Sequence, residues 1–249
     1  SKPLYHFDNR DAAGPKVYLT LDLVFADDSV VAAADDVLEN RFHAWFNPDI
    51  IYDMGTPIDW TIGKNSEIIG IEAATARNNF LITLMLAWLQ THDDRYAAKF
   101  EALCRSYNEH KPMVMTGNPI PHIDCFFDHD ARQHYCMNVG FRLMDYLDCL
   151  YSGVFTSPAF PDAFRFYFLK HIWFHGMQFH RMRHLEEMFE PQNHHHYEWG
   201  VVPFLIGVLF PEWPAAETMW RYGRAAIREH VDREIFADGA PVEHSSAYM

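Results

Sequence analysis

Apolar residues along this chain recur mostly at helical spacing rather than alternating, and Pro, Gly, Asn and Asp punctuate the periodic stretches. The one strand-like run is KVYLTLDLVF, residues 16–25, so residues 1–27 read as an N-terminal extended segment. After it, DSVVAAADDVLENRFHAWF (28–46) predicts a helix that starts at an Asp or Ser cap and stops before Asn47-Pro48. SEIIGIEAATARNNFLITLMLAWLQT (66–91) and HDDRYAAKFEALCRSYNEH (92–110) predict two helices joined by a short acidic turn, a helical hairpin. Residues 111–130 lack a clear period and read as a loop able to line a cleft. Helices are then predicted over 131–152, 162–189, 196–210 and 214–236, the last two separated by Pro211-Glu212-Trp213. Successive hairpins without an exact repeat indicate an all-α architecture of stacked helix pairs over residues 28–249.

One predicted helix is unusual. Residues 134–150 are apolar on nearly every face except for His134, Asn138, Arg142 and Asp145, whose spacing of four, four and three places them on one stripe. On a surface helix the stripe is the solvated side; on an inner helix it faces a polar cleft, and Arg142 becomes a candidate anion-binding residue.

Composition narrows the partners. The 249 residues are 49% hydrophobic and carry a formal net charge of −14, which argues against a nonspecific nucleic-acid binder and requires any anionic ligand to meet local positive charge. No apolar run approaches a membrane span, and SKPLYHFDNR lacks the parts of a signal peptide, so the chain reads as soluble and already processed. Cys104, Cys125, Cys136 and Cys149 are too far apart for a CxxC pattern and read as buried apolar thiols.

Histidines invite a metal reading that the spacing does not sustain. His171/His175 and His180/His184 are i, i+4 pairs, yet HIWFH has no glutamate after its first histidine and HRMRH encloses two arginines that oppose a cation. The run His194-His195-His196 cannot point one way in any regular backbone. Neither a metal nor another cofactor is expected. Asn193 and His194, lying just ahead of a predicted helix, are instead suited to grip a carboxylate near unpaired backbone N–H groups.

Taken in order, NHHHYEWG (193–200), LFPEWPAAETMWRYG (209–223) and IREHVDREIFADGAPVEHSSAY (227–248) resemble the heparinase II/III and alginate lyase group of polysaccharide lyases. The resemblance rests on Asn193-His194 with Glu198, then Phe210-Pro211-Glu212 with Trp220, then Asp238-Gly239, and last Glu243 with Ser246 and Tyr248. TPIDWT (56–61) and GFRLMDYL (140–147) are weaker echoes upstream. It implies an incomplete (α/α) toroid, followed in the family by a β-sandwich that closes the substrate canyon and supplies further catalytic groups. Because the chain stops at Met249, the expectation is a toroid truncated at its C-terminal end, with that sandwich domain outside it and little activity of its own.

What the resemblance implies chemically is β-elimination on a uronic-acid-containing polysaccharide, alginate-like or glycosaminoglycan-like, in the periplasm or outside the cell. Asn193 or His194 would neutralise the uronate carboxylate so that the C5 proton can leave, and Tyr248 would act as base, as acid toward the leaving C4 oxygen, or as both. His196, Glu198 and Arg142 are the substrate-binding candidates. The acidic balance favours a carboxylate-only polymer slightly over a sulfated one. Two other classes stay open: a toroidal glycoside hydrolase, for which Glu198, Glu212, Asp238 and Glu243 offer carboxylates, and a noncatalytic glycan-binding module.

Overall fold

In the computed structural model, residues 29–44, 47–60, 75–110, 136–182 and 200–237 are described. They fall into two compact units, one formed by residues up to Ile172 and the other by residues from Trp173 onward.

The first unit begins with α1 (Ser29–Leu38), which buries Val30, Ala33, Ala34 and Val37, an i, i+3, i+4, i+7 stripe. The helix ends earlier than the periodicity predicts. Asn40 takes a left-handed φ of 61°, and the chain turns into an antiparallel hairpin of β1 (Arg41–Ala44) and β2 (Asn47–Asp53). The reason is nonlocal: Asn40 Nδ2 donates to Gly55 O at 2.9 Å and to Thr56 Oγ1 at 3.1 Å, while Lys99 Nζ donates to Asn40 Oδ1 and to Leu38 O. A left-handed asparagine costs little, and here the fold holds its side chain at both ends. Phe42 then points inward and stacks on Phe80 at 4.8 Å, and Trp60 meets Tyr107 edge-on at 5.2 Å.

Helix α2 (Asn79–Thr91) is apolar nearly all round and is buried accordingly, through Phe80, Leu81, Leu84, Met85 and Trp88. It packs against α1 and against α3 (Asp94–His110), confirming the predicted hairpin. The turn between them is fixed by His92, at a left-handed φ of 53°, and by Asp94, which accepts from Trp88 Nε1 at 3.1 Å and from Ser157 Oγ at 2.5 Å. Those hydrogen bonds hold the Asp94 carboxyl below its usual range. Helix α4 (Cys136–Tyr151) lies against α2, and a 3₁₀ turn (Val154–Thr156) leads to α5 (Asp162–Met182), whose residues beyond Ile172 belong to the second unit. Phe100, Phe155, Phe160, Phe164 and Phe168 form one aromatic cluster at that corner.

The second unit contains α6 (Val202–Leu209) and α7 (Ala216–Glu234). Phe210 stacks on Trp213 with ring centroids 4.1 Å apart in the connection between them. Two glycines let the helices touch backbone to backbone. A Cβ on Gly207 would lie 2.5 Å from Ala216 O and Trp220 N, and one on Gly223 would lie 2.4 Å from Gly200 O and Phe204 N. Backbone atoms cannot step aside as a side-chain tip can, so Gly223→Ala is expected to destabilise the protein by about 3 kcal/mol. Ala225→Gly, on the exposed side of the same helix, should cost about 1 kcal/mol. Thermal melts of the two variants check this contrast.

The sequence-predicted helices over 92–110, 131–152, 162–189, 196–210 and 214–236 each contain a described helix, while residues 131–135, 183–189 and 196–199 lie outside the described residues. The strand-like run 16–25 lies outside the described residues. Among the described residues no helix is long and apolar enough to cross a membrane.

Candidate functional site

The polar stripe of α4 points inward. Asn138 and Arg142 are both buried, Arg142 to 1% exposure, so the solvated-face reading of this stripe does not hold. What meets it is a break in the helical chain before α2. Residues 75–77 are helical, Asn78 adopts a left-handed φ of 62°, and the helix resumes at Asn79. Successive residues of a regular helix diverge by about 100° and cannot all face one neighbour. Across the break they do: Arg77 Nε donates to Asn138 Oδ1 at 3.2 Å, Tyr146 OH donates to Asn78 Oδ1 at 2.8 Å, and Asn79 Nδ2 donates to Asp145 Oδ2 at 3.0 Å. Arg77 also stacks over the Phe141 ring at 4.3 Å. Arg142 Nη1 donates to Tyr107 OH at 3.3 Å, with its guanidinium 5.5 Å from that ring.

The electrostatics of this seam follow from burial. Tyr107 and Tyr146 are pushed up, first by desolvation, with the positive charge of Arg142 opposing it. Tyr96 and Tyr167 are both pushed up to about 12, chiefly by burial. These four phenols therefore stay protonated at neutral pH and serve as hydrogen-bonding groups, not as bases. Cys104 and Cys149 are buried free thiols raised by desolvation, Cys104 to about 12, as the reading of inert core cysteines requires.

His171 is held neutral: burial first, then the charges of Arg142 and Lys170, bring its pKa down to about 4. The unfolded chain takes up this proton below about pH 6.5, whereas the folded ring resists it until about pH 4. The associated stability is therefore complete above the unfolded value and lost as pH falls toward the folded one. Urea unfolding at about pH 5 should show a loss of about 2 kcal/mol relative to about pH 7, and His171→Asn should remove much of that dependence.

Of the sequence-predicted site residues, the structure describes Arg142 alone, which it places in this buried seam. Asn193, His194, His196, Glu198 and Tyr248 lie outside the described residues. Of the two histidine pairs, His171 is half-buried and His175 fully buried; the His180 side chain and His184 lie outside the described residues. Among the described residues, no group of three or more His, Cys, Asp or Glu is placed to hold a metal ion. Pattern reasoning missed Arg77, Asn78 and Asn79 as partners of α4, although three consecutive polar residues inside an otherwise apolar helix were the available signal.

Comparison with known proteins bears on the whole chain. The structure is similar to that of heparan sulfate lyase HepC from Pedobacter heparinus, with a TM-score of 0.69 and 18% identity over 94% of this chain and 33% of that one. It is also similar to the crystal structure of heparinase III, with a TM-score of 0.66 and 18% identity over 97% of this chain and 36% of that one. The chain thus spans about a third of the length of these solved relatives. At such identity the likeness concerns fold, and the fold class is the all-α, incomplete (α/α) toroid of helical hairpins. No curated protein matches the chain. A family model described as the heparinase II/III N-terminus matches residues 9–249, nearly the entire length. That match, with the helical fold behind it, makes this chain a member of the heparinase II/III family, corresponding to its N-terminal region.

Proposed function

We propose that the chain is the toroid portion of a polysaccharide lyase that cleaves a uronic-acid-containing acidic polysaccharide by β-elimination. The observation that carries this reading is the family match across residues 9–249, which takes in the ordered segment with Asn193, His194 and Tyr248. The solved relatives named for heparan sulfate lyase and heparinase activity support a glycosaminoglycan-like polymer, with an alginate-like one as the carboxylate-only alternative.

The uronate carboxylate opposes removal of the neighbouring C5 proton, because the departing proton leaves a second negative charge beside the first. Asn193 and His194 hydrogen-bond or neutralise the carboxylate and so stabilise the enolate-like transition state. Tyr248 takes the C5 proton, protonates the leaving oxygen, or does both, according to the uronate's stereochemistry. The C5 electron pair forms the C4–C5 double bond, the C4–O bond breaks, and the released oxygen carries the new proton. His196 and Glu198 bind the neighbouring sugars, and the activity belongs in the periplasm or outside the cell, where such polymers occur.

Incubation of the full-length product that contains this chain with heparan sulfate, heparin and alginate, followed in the ultraviolet, tests the reaction, the chain by itself being expected to show little activity. Unsaturated uronate products are expected, and a chelator should leave their rate unchanged. Chain shortening without ultraviolet absorbance would identify a hydrolase instead; binding without shortening would identify a glycan-binding module.

A further inference from the structure

On a chain with 34 acidic and 20 basic residues, α7 holds a stretch of the opposite character: residues 218–228 include Arg221, Arg224 and Arg228 and no acidic residue. Their i, i+3, i+7 spacing sets all three on one face, and all three are exposed. The acids at either end of the stretch are already engaged. Glu217 pairs with Arg221 at 2.6 Å, and Glu229 pairs with Arg233 at 2.6 Å. Arg224 and Arg228 consequently have no ion-pair partner among the described residues. They are one helical turn apart, a rise of about 6 Å, with the small Ala225 exposed beside them. The opposite side of the helix is clamped by the Gly223 contact with Gly200 O and Phe204 N, so the two guanidinium groups project from a fixed platform.

We propose that Arg224 and Arg228, flanked by Arg221, form a binding surface for the anionic groups of the polysaccharide chain, made of residues other than those assigned to the elimination. The class of ligand rests on the lyase reading above; the site rests on the arginines. Guanidinium forks bind sulfate and carboxylate oxygens in pairs, which suits a ligand whose charges repeat along its length. Two arginines without an ion-pair partner among the described residues, on a chain of net charge −14, give a polyanion a local point of attachment that the net charge does not provide. A surface of this kind retains the polymer between cleavage events and contributes to long chains more than to short ones.

The test is the double variant Arg224→Gln/Arg228→Gln, compared with wild type for binding to long heparin, long alginate and a tetrasaccharide cut from each, over a range of salt. A melting temperature equal to wild type establishes that the variant is folded. Expected is a roughly tenfold weaker affinity for the long polymer and a fall of about two in the slope of log affinity against log salt. Tetrasaccharide binding should be unchanged. Loss with heparin alone assigns the surface to sulfate, and loss with both polymers assigns it to anions generally. Unchanged affinity and slope for both long polymers would overturn the proposal, as would equal losses for polymer and tetrasaccharide, which would place the arginines in the main site. If the chain binds heparin through these arginines but the full-length product that contains it releases no unsaturated product, the lyase reading fails and this surface stands.

Discussion

In the full-length product that contains this chain, Tyr248→Phe is expected to lower the rate of formation of unsaturated product by about 10²–10⁴-fold with little change in polymer affinity. The variant keeps the ring and loses the hydroxyl, so it removes a proton carrier without removing a packing surface. Asn193→Ala should lower the rate by about 10²–10³-fold, since in the proposed reaction its amide would act on the carboxylate where charge develops. The two effects should not multiply in the double variant, because a proton cannot usefully be taken from a carbon whose carboxylate is unneutralised. Initial rates on one uronate polymer, with affinities measured separately, decide the matter. Wild-type rates in Tyr248→Phe would sink the proton-transfer role, and a proportional loss of binding would recast the tyrosine as a sugar contact.

Arg142→Met is expected to destabilise the protein by about 3 kcal/mol, read from urea unfolding at neutral pH. The side chain is among the largest that are fully buried, and its removal leaves the Tyr107 hydroxyl without the Nη1 donor and the Tyr107 ring without the cation beside it. Methionine approximates the volume and adds no charge, so the loss reports the polar contacts more than a cavity. Burial thus changes what is expected of this residue, since sequence alone offered it as a substrate-binding candidate. Removing the charge should also raise the pKa of His171 toward its ordinary value, because Arg142 is one of the positive groups that depress it. An unchanged unfolding midpoint with weakened binding of a uronate oligomer would restore the ligand-contact role.

How far the sequence could be read follows from where the deciding partner sits. Helix α3 was legible because Tyr96, Phe100, Leu103, Cys104 and Tyr107 repeat at helical spacing, with Asp94 at its start. The end of α1 was not, because the left-handed Asn40 is held by Gly55, Thr56 and Lys99, none of them near it in sequence. Phe42 turns inward and its neighbour Arg41 outward, an alternation too short to outweigh a helical reading of RFHAWF. The α4 stripe shows a different limit: Asn138 and Arg142 have the same spacing whether water or protein covers them, and the left-handed Asn78 is what aims Arg77 and Asn79 at that face. For the proposed site, Asn193, His194 and Tyr248 were offered by residue type and order within a family resemblance, where periodicity carries no information, and they lie outside the described residues.

The seam around Asn78 also bears on how fast this helical protein reaches its native state. Its three side-chain bonds join residues 61, 66 and 68 apart, and elsewhere in the same unit Tyr96 reaches Asp35 across 61 residues and Ser157 reaches Asp94 across 63. Helices ordinarily keep their contacts local and fold quickly, whereas bonds of this span reward the chain only after long loops have closed. Folding kinetics in the first unit should therefore resemble those of a mixed α/β domain more than those of a short helical bundle, and slowing at Asn78 should be visible as a lower refolding rate in Asn78→Ala.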